Sequence, residues 1–391
     1  MARVSRQTIF RSERYAAISL AAAAVLGLFL ANSVAGPGLI ELVHSHPSLG
    51  ITGLDLSYAH WITDGLLVVF FFIVAVELRH ELTVGELNSV QHALAPGIAA
   101  LGGEIAPAAI YLAITGPDYA GGWPIPTATD IAFTLGLIAL VGKGLPPRLR
   151  VFLLALAVID DLIAILIIAV FFSTGFDVFA FGIAVMAVYA FRWVGCQSNM
   201  PRSLRIVLFI LFGALAWYAT VLSGIHATIA GVALGLVLNP RIAAKAAHAL
   251  TPMNNAVILP LFAFVSALVI IPEVPITELS PAFWGITIAL PLGKLVGITL
   301  AGTLVAWFIT RKAGKNARQA RQTLVTGWDL ITVAAVSGIG FTVSLLMTEL
   351  AFANDAALRD EGVLAVLSGS AIAILLGTVF VVLRARHYRV K

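Results

Sequence analysis

Asp160 and Asp161 stand side by side inside an apolar run from Val151 to Phe172. A helix through that run is long enough to cross a bilayer, and it carries both acids near its middle. A carboxylate at that depth costs about 2.5–3.5 kcal/mol on insertion scales. The flanking Leu, Ile, Ala and Val offset the cost, so the helix still inserts, and acids kept there point to function. Such a carboxylate can hold a proton or a cation. Successive helical residues lie about 100° apart around the axis, so the two acids take different roles: one faces a site, the other a partner. The bland alternative is a pair of satisfied acids that holds helices together.

Lys294, in Pro291-Leu292-Gly293-Lys294-Leu295, is a lysine inside another apolar span. A lone ammonium there gives up its proton or finds a carboxylate, and Asp160 or Asp161 is the natural partner. Asp130 is a further acid at depth. Three acids against one base make a negative site, suited to protons or a cation and of the wrong sign for an anionic substrate. Asp64, Glu77 and Glu81 lie on or beside the second span, with Arg79 and His80 between the two glutamates. This is either a solvated helix end or a funnel that collects cations or senses pH. His226, in Ser223-Gly224-Ile225-His226-Ala227-Thr228, titrates near neutral pH if it is more than a hydrogen-bonded helix end. Glu104, in Gly102-Gly103-Glu104-Ile105-Ala106-Pro107, is an acid within the third span for which the pattern offers no role.

These residues have to be positioned by membrane helices. The 391 residues are 60% hydrophobic and 11% charged, with mean hydropathy +0.99, whereas about a quarter of a soluble chain is charged. Apolar stretches of about 20 residues fall near 15–32, 64–80, 93–115, 121–142, 149–173, 176–192, 203–222, 223–239, 255–271, 283–310, 325–350 and 362–383. That is about twelve spans, with no stretch left for a separate soluble domain, so residues 1–391 read as a single all-α polytopic membrane domain. The first apolar stretch resembles a signal peptide, but the spans behind it favour an uncleaved helix. The lone Cys196 excludes a disulfide framework and a thiolate metal site.

Of the 24 basic residues, all but Lys294 and Arg359 fall on one side of the twelve-span arrangement. They cluster at Arg3, Arg6, Arg11 and Arg14, at Arg79, at Lys143, Arg148 and Arg150, at Arg192, Arg202 and Arg205, and at Arg241 and Lys245. The remainder are Arg311, Lys312, Lys315, Arg318 and Arg321, then Arg384, Arg386, Arg389 and Lys391. By the positive-inside rule both termini are cytoplasmic. The net charge of +4 is then a rim that meets anionic lipid headgroups, with no nucleic-acid partner implied.

Two spans are interrupted. The fourth opens with Trp123-Pro124-Ile125-Pro126-Thr127-Ala128-Thr129-Asp130, where Pro124 and Pro126 bar a regular helix. Thr129 or Asp130 then caps the half-helix that follows, whose free N–H groups favour an oxygen or an anion. The eleventh holds Ser337-Gly338-Ile339-Gly340-Phe341-Thr342, either a break at Gly338 and Gly340 or a close helix contact. Irregular backbone at membrane depth is tolerated only inside protein or beside a water-filled cavity. The two spans are the middles of the triples 3-4-5 and 10-11-12, as expected for inverted repeats, about 93–173 and 283–383, with the site built on discontinuous helices. The remaining helices form an interface bundle.

The motifs Thr-Ala-Thr-Asp-Ile-Ala-Phe (127–133), Ile-Asp-Asp-Leu (159–162), Ser-Gly-Ile-His-Ala-Thr (223–228) and Gly-Ile-Gly-Phe-Thr-Val-Ser (338–344) resemble the NhaA family of bacterial sodium–proton antiporters. Gly-Lys (293–294) and Val-Glu-Leu-Arg-His-Glu-Leu (76–82) fit as well, and the likeness runs from about residue 8 to about 385. The inverted-repeat rule used above was itself drawn partly from such antiporters, so that agreement is a match with them and no independent derivation. The resemblance implies that Asp161 is the principal ligand of the transported Na+, and that Asp160 pairs with Lys294 and carries a proton. It implies that Thr129 and Asp130 lie where two broken helices cross, Asp130 offsetting facing positive helix ends and Lys294 facing negative ones. Glu77, Glu81 and His226 match positions tied to the family's pH response. The loop 45–59 would form a hairpin that makes a homodimer. Two departures stand out: Val265-Ser266 replaces the Ala-Asn that commonly follows Leu-Pro-Leu-Phe-Ala-Phe, and Glu104 replaces a residue that is usually apolar.

The function expected is secondary antiport, with protons entering and Na+ or Li+ leaving across a bacterial cytoplasmic membrane, and no cofactor. It is pH-dependent, and electrogenic if two acids release protons for each cation bound. The rivals are a proton-coupled symporter of an organic solute, an intramembrane aspartyl protease, and a family member that no longer transports. A symporter needs aromatic and polar contacts that the break regions lack. The protease usually carries Gly-x-Gly-Asp, but Gly338–Gly340 is followed by Phe341.

Overall fold

The computed structural model describes residues 12–47, 55–85, 90–173, 175–197, 199–272, 275, 278–312 and 324–390. Helices and turns make up the secondary structure of those residues. Nine described helices are long and apolar enough to cross a membrane, or up to ten if one bent pair counts as a span. Two shorter apolar helical segments lie at Ile125–Val141 and Thr228–Val237. The chain is a multi-pass membrane protein. Arg3, Arg6, Arg11, Lys315, Arg318, Arg321 and Lys391 of the basic rim lie outside the described residues, as does the middle of the 45–59 loop.

The chain forms two compact units. The first is built on Ser19–His80 and Ile165–Leu268. It takes most of α1 (Glu13–Ala31), with α2 (Gly36–His44) and α3 (Leu67–Thr83) up to His80. After the end of a long central helix come α7 (Val178–Cys196), α8 (Arg202–Leu222), α9 (Thr228–Val237), α10 (Pro240–Met253) and α11 (Leu259–Ser266). Its core gathers Phe72, Ile73, Val76, Ala187, Phe191, Ala216, Leu234 and Leu238. Gly231 and Gly235 let α9 touch the α3 backbone: a Cβ at Gly231 would lie 2.2 Å from the Val68 carbonyl oxygen.

The second unit, on Ser12–Ile18, Glu81–Ala164 and Val269–Lys391, holds nearly all of the segments expected to form the repeats. It contains α4 (Val90–Thr115), α5 (Ile131–Val141), the central α6 (Pro147–Phe171) as far as Ala164, α12 (Pro281–Ile288), α13 (Lys294–Lys312), α14 (Trp328–Ser337), α15 (Phe341–Ala351) and α16 (Ala356–Val390). Without a hydrophobic force between helices in lipid, close backbone approach supplies the attraction. Here α4 and α13 meet through Gly102, Gly103 and Gly297, and Gly293 rests on Pro107. The outward side of α13 remains apolar, with Leu300, Leu304, Trp307 and Phe308 exposed, as a lipid-facing helix requires.

The polar ends of this unit are tied by a buried acid. Asp329, at the start of α14, accepts hydrogen bonds from Arg148 (2.8 Å), Tyr388 (2.7 Å) and Arg384. It thereby joins α6, α14 and α16.

A Cβ at Gly297 would lie 2.0 Å from the Gly102 carbonyl oxygen. Gly297→Val should therefore force α4 and α13 apart and cost about 1–3 kcal/mol, read as a lower melting temperature of the detergent-solubilised protein. Gly182→Ala, where nothing lies within 4 Å of a new Cβ, should melt at or above the parent.

Candidate ion-binding site

Both interrupted spans are broken in the second unit. After a 3-10 turn at Ile125–Thr127 the chain is extended at Ala128, and α5 restarts at Ile131 with Asp130 as its N-cap. Pro124 and Pro126 account for the unwinding, since neither donates an N–H and each fixes its backbone. In the eleventh span α14 ends at Ser337 and α15 begins at Phe341, bent by 48°. Phe341 is the one described non-glycine residue with positive φ, at 23°. A bulky residue in that region is strained unless its surroundings hold it, and Ser370 Oγ accepts its N–H at 3.2 Å.

The two unwound stretches satisfy one another. Thr129 Oγ1 donates to the Ser337 carbonyl (2.9 Å), the Asp130 N–H donates to that of Ile339 (2.7 Å), and Ser344 Oγ to that of Ile125 (2.8 Å). In return Asp130 Oδ1 accepts the Phe133 N–H at 2.8 Å, while Oδ2 accepts the Thr342 N–H at 3.1 Å and its hydroxyl at 2.6 Å. One carboxylate therefore meets the first turns of α5 and α15, where unpaired N–H groups and the helix dipole both favour negative charge. Gly340 permits the approach: a Cβ there would stand 3.0 Å from the Ala128 carbonyl oxygen and closer still to Ser344. Gly338 packs against Pro291 just before α13.

The second cluster is ionic. Lys294 opens α13 after a π-turn at Ala289–Gly293. It is fully buried and donates to Asp160 Oδ1 at 2.6 Å. Glu104 Oε1 stands 3.7 Å from the same ammonium. Asp161 follows Asp160 along α6 and is also buried. The partner of Lys294, left open by residue spacing and given as Asp160 by the family resemblance, is Asp160. Among the hydrogen bonds described, those to the Ser337, Ile339 and Ile125 carbonyls come from Thr129, Asp130 and Ser344, and that of Lys294 goes to Asp160.

The residues grouped for pH response are distributed. Glu77 is exposed on α3 and Glu81 is half-buried four residues on. Asp64, which the sequence places beside them, sits in a π-turn at Trp61–Leu66. It faces His226 instead, with Nε2 3.4 Å from Oδ1, while His226 Nδ1 is 2.8 Å from Thr228 Oγ1. Val265 and Ser266 are buried at the end of α11.

The family model for Na+/H+ antiporter 1 matches residues 7–381. The chain belongs to that family. It is 56% identical over 388 residues to the protein named Na(+)/H(+) antiporter NhaA 2 of Clavibacter michiganensis, spanning 98% of this chain and 93% of that one. It is 43% identical to the Na(+)/H(+) antiporter NhaA of Tropheryma whipplei, over 95% and 94% of the two chains. Against the NhaA of Streptomyces antibioticus the identity is 39%, over 97% and 79%. Membership in this family makes the chain a Na+/H+ antiporter, a transporter and not an enzyme, which sets aside the protease alternative.

Three contributions in this family member do not follow from the sequence pattern. Thr342 and Ser344 read there only as hydroxyls near a glycine pair, although Thr342 gives Asp130 two hydrogen bonds. Glu104 has no role in the pattern, yet it lies against Lys294. Asp329 escapes it too, and here a signal exists: an acid in an apolar span, with arginines in the basic rim to meet it.

Asp130→Ala removes the acceptor of two buried N–H groups and one hydroxyl, each worth about 1–3 kcal/mol when left unpaired. Asp130→Asn keeps one acceptor oxygen. Thermal unfolding in detergent should therefore rank the parent above Asn and Asn well above Ala.

Proposed function

We propose that this chain exchanges cytoplasmic Na+ or Li+ for external protons across a bacterial cytoplasmic membrane, with both termini cytoplasmic. The observation that carries this reading is the buried set Asp160, Asp161 and Lys294 in the same compact unit as the unwound stretches, in a member of a Na+/H+ antiporter family. The names of the relatives point the same way.

Asp161 is the principal ligand of the transported cation, and Asp160 is the carboxylate that yields its lysine partner and carries a proton. Each carboxylate binds a proton or shares a cation, never both. Loaded either way, the site sheds negative charge and passes through the low-dielectric barrier, whereas the empty site stays. Two acids discharged per monovalent cation make the exchange electrogenic. Asp130 and Thr129 hold the junction of the unwound stretches, about which one bundle moves to give alternating access. Glu77, Glu81 and His226 set the pH response, with Asp64 as the counter-charge of His226. The chain works without a cofactor, in contact with membrane lipid, and pairs with a second copy through the 45–59 loop.

Protons compete with Na+ at the carboxylates, so transport should rise from mildly acidic to mildly alkaline pH. In everted vesicles, Na+ should trigger proton movement in the parent and none in Asp161→Asn at equal membrane abundance. A full Na+ response in Asp161→Asn would remove that residue from the site. No response of the folded parent to Na+ or Li+ at any pH would overturn the exchange itself.

A further inference from the structure

The buried lysine has more carboxylate around it than the exchange requires. Its ammonium is 2.6 Å from Asp160 Oδ1 on α6 and 3.7 Å from Glu104 Oε1 on α4. Glu104 is 7% exposed, and neither of its oxygens has a hydrogen-bond partner among the described residues. Asp160 Oδ2 is buried without one as well. Asp160 and the Thr127 hydroxyl come close enough to Glu104 for loose side-chain contact, and Lys294 acts on it as a charge, but the hydroxyl donates to the Pro124 carbonyl (2.9 Å). A carboxyl group held only by such loose contacts costs more to bury than one that is firmly paired, and the described cation within reach, Lys294, is already bonded to Asp160. Gly103 and Gly293 bring α4 and α13 close enough for this: a Cβ at Gly103 would lie 3.5 Å from the Lys294 side chain.

We propose that Glu104 is a positioning residue, the second counter-ion to which Lys294 transfers when Asp160 gives it up. A lysine with a single partner holds that partner fast, because any cation that engages Asp160 leaves a bare ammonium in the membrane core. A second carboxylate 3.7 Å from the ammonium, about 0.5 Å beyond hydrogen-bond range, removes that obstacle. The ammonium needs only a change of side-chain rotamer, its charge stays compensated, and Asp160 is released for its own chemistry. Glu104 thus lowers the cost of opening the Asp160–Lys294 pair while touching neither cation nor proton path itself. Its part in transport rests on the exchange proposed above; the pairing itself does not.

The test is a double-mutant cycle in melting temperature on the purified, detergent-solubilised chain. Asp160→Asn and Glu104→Gln each remove one of the two described carboxylate partners of Lys294, and the combined variant removes both. The combined loss should exceed the sum of the single losses by on the order of 5 °C, and adding Lys294→Met should restore most of that excess. If the combined variant does not fold, the same inference holds provided the triple variant does. Additive losses, or a triple variant no better than the double, would overturn the proposal. In vesicles Glu104→Gln should raise the apparent KM for Na+ severalfold more than it lowers the maximal rate. An equal loss in both would assign Glu104 a structural role only. Failure of the parent to exchange Na+ would overturn the function alone, because the melting cycle measures the pairing whether or not the chain transports.

Discussion

Asp130 ends two helices at once, and the arrangement of the second unit follows from that. Lipid offers no partner for a backbone N–H or carbonyl, so a break in a membrane helix survives only if protein groups replace the lost bonds. Here the breaks replace each other's. The N–H groups that open α5 and α15 meet one carboxylate, and carbonyls of the opposite stretch receive Thr129, Ser344 and the Asp130 amide. Either stretch alone would be costly. Together they form a junction with fixed charge and little spare backbone, sited in the unit that also buries Lys294 and Asp160.

Much of this is legible in the residues. Pro124 and Pro126 cannot continue a helix, and Asp130 stands where a restarting helix wants a cap, so break and cap follow from local chemistry. Gly338 and Gly340 are ambiguous, because glycine serves a helix contact as readily as a break. What decides between them is the partner stretch, far away in sequence. For a related reason the partner of Lys294 stays open in the residue spacing, and only the family resemblance names Asp160. A helix that is apolar on nearly every side has no polar stripe to fix its rotation, so the 100° between Asp160 and Asp161 cannot be oriented.

Long-range pairs between charged groups are the least legible. Proximity in sequence puts Asp64 with Glu77 and Glu81, but a π-turn carries it to His226, over 150 residues on. Glu104 and Asp329 vanish in a hydropathy average, and their meaning lies wholly in what they meet: Lys294 for one, Arg148, Arg384 and Tyr388 for the other. Groups of buried charges are specified by three-dimensional approach, which sequence periodicity does not encode.

On the proposed exchange, the ion pair and the junction divide the work. Asp130 is committed to N–H groups and a hydroxyl, so it holds the junction while the acids of α6 change partners. The central claim is that Na+ and protons compete for those acids. Proton release on adding Na+ to the purified protein in weakly buffered detergent solution tests it most directly, with Na+ binding followed in parallel by calorimetry. Competition predicts that Na+ binding expels protons and that acidification suppresses the binding. Na+ that binds without releasing protons, with an affinity indifferent to pH, would contradict the account.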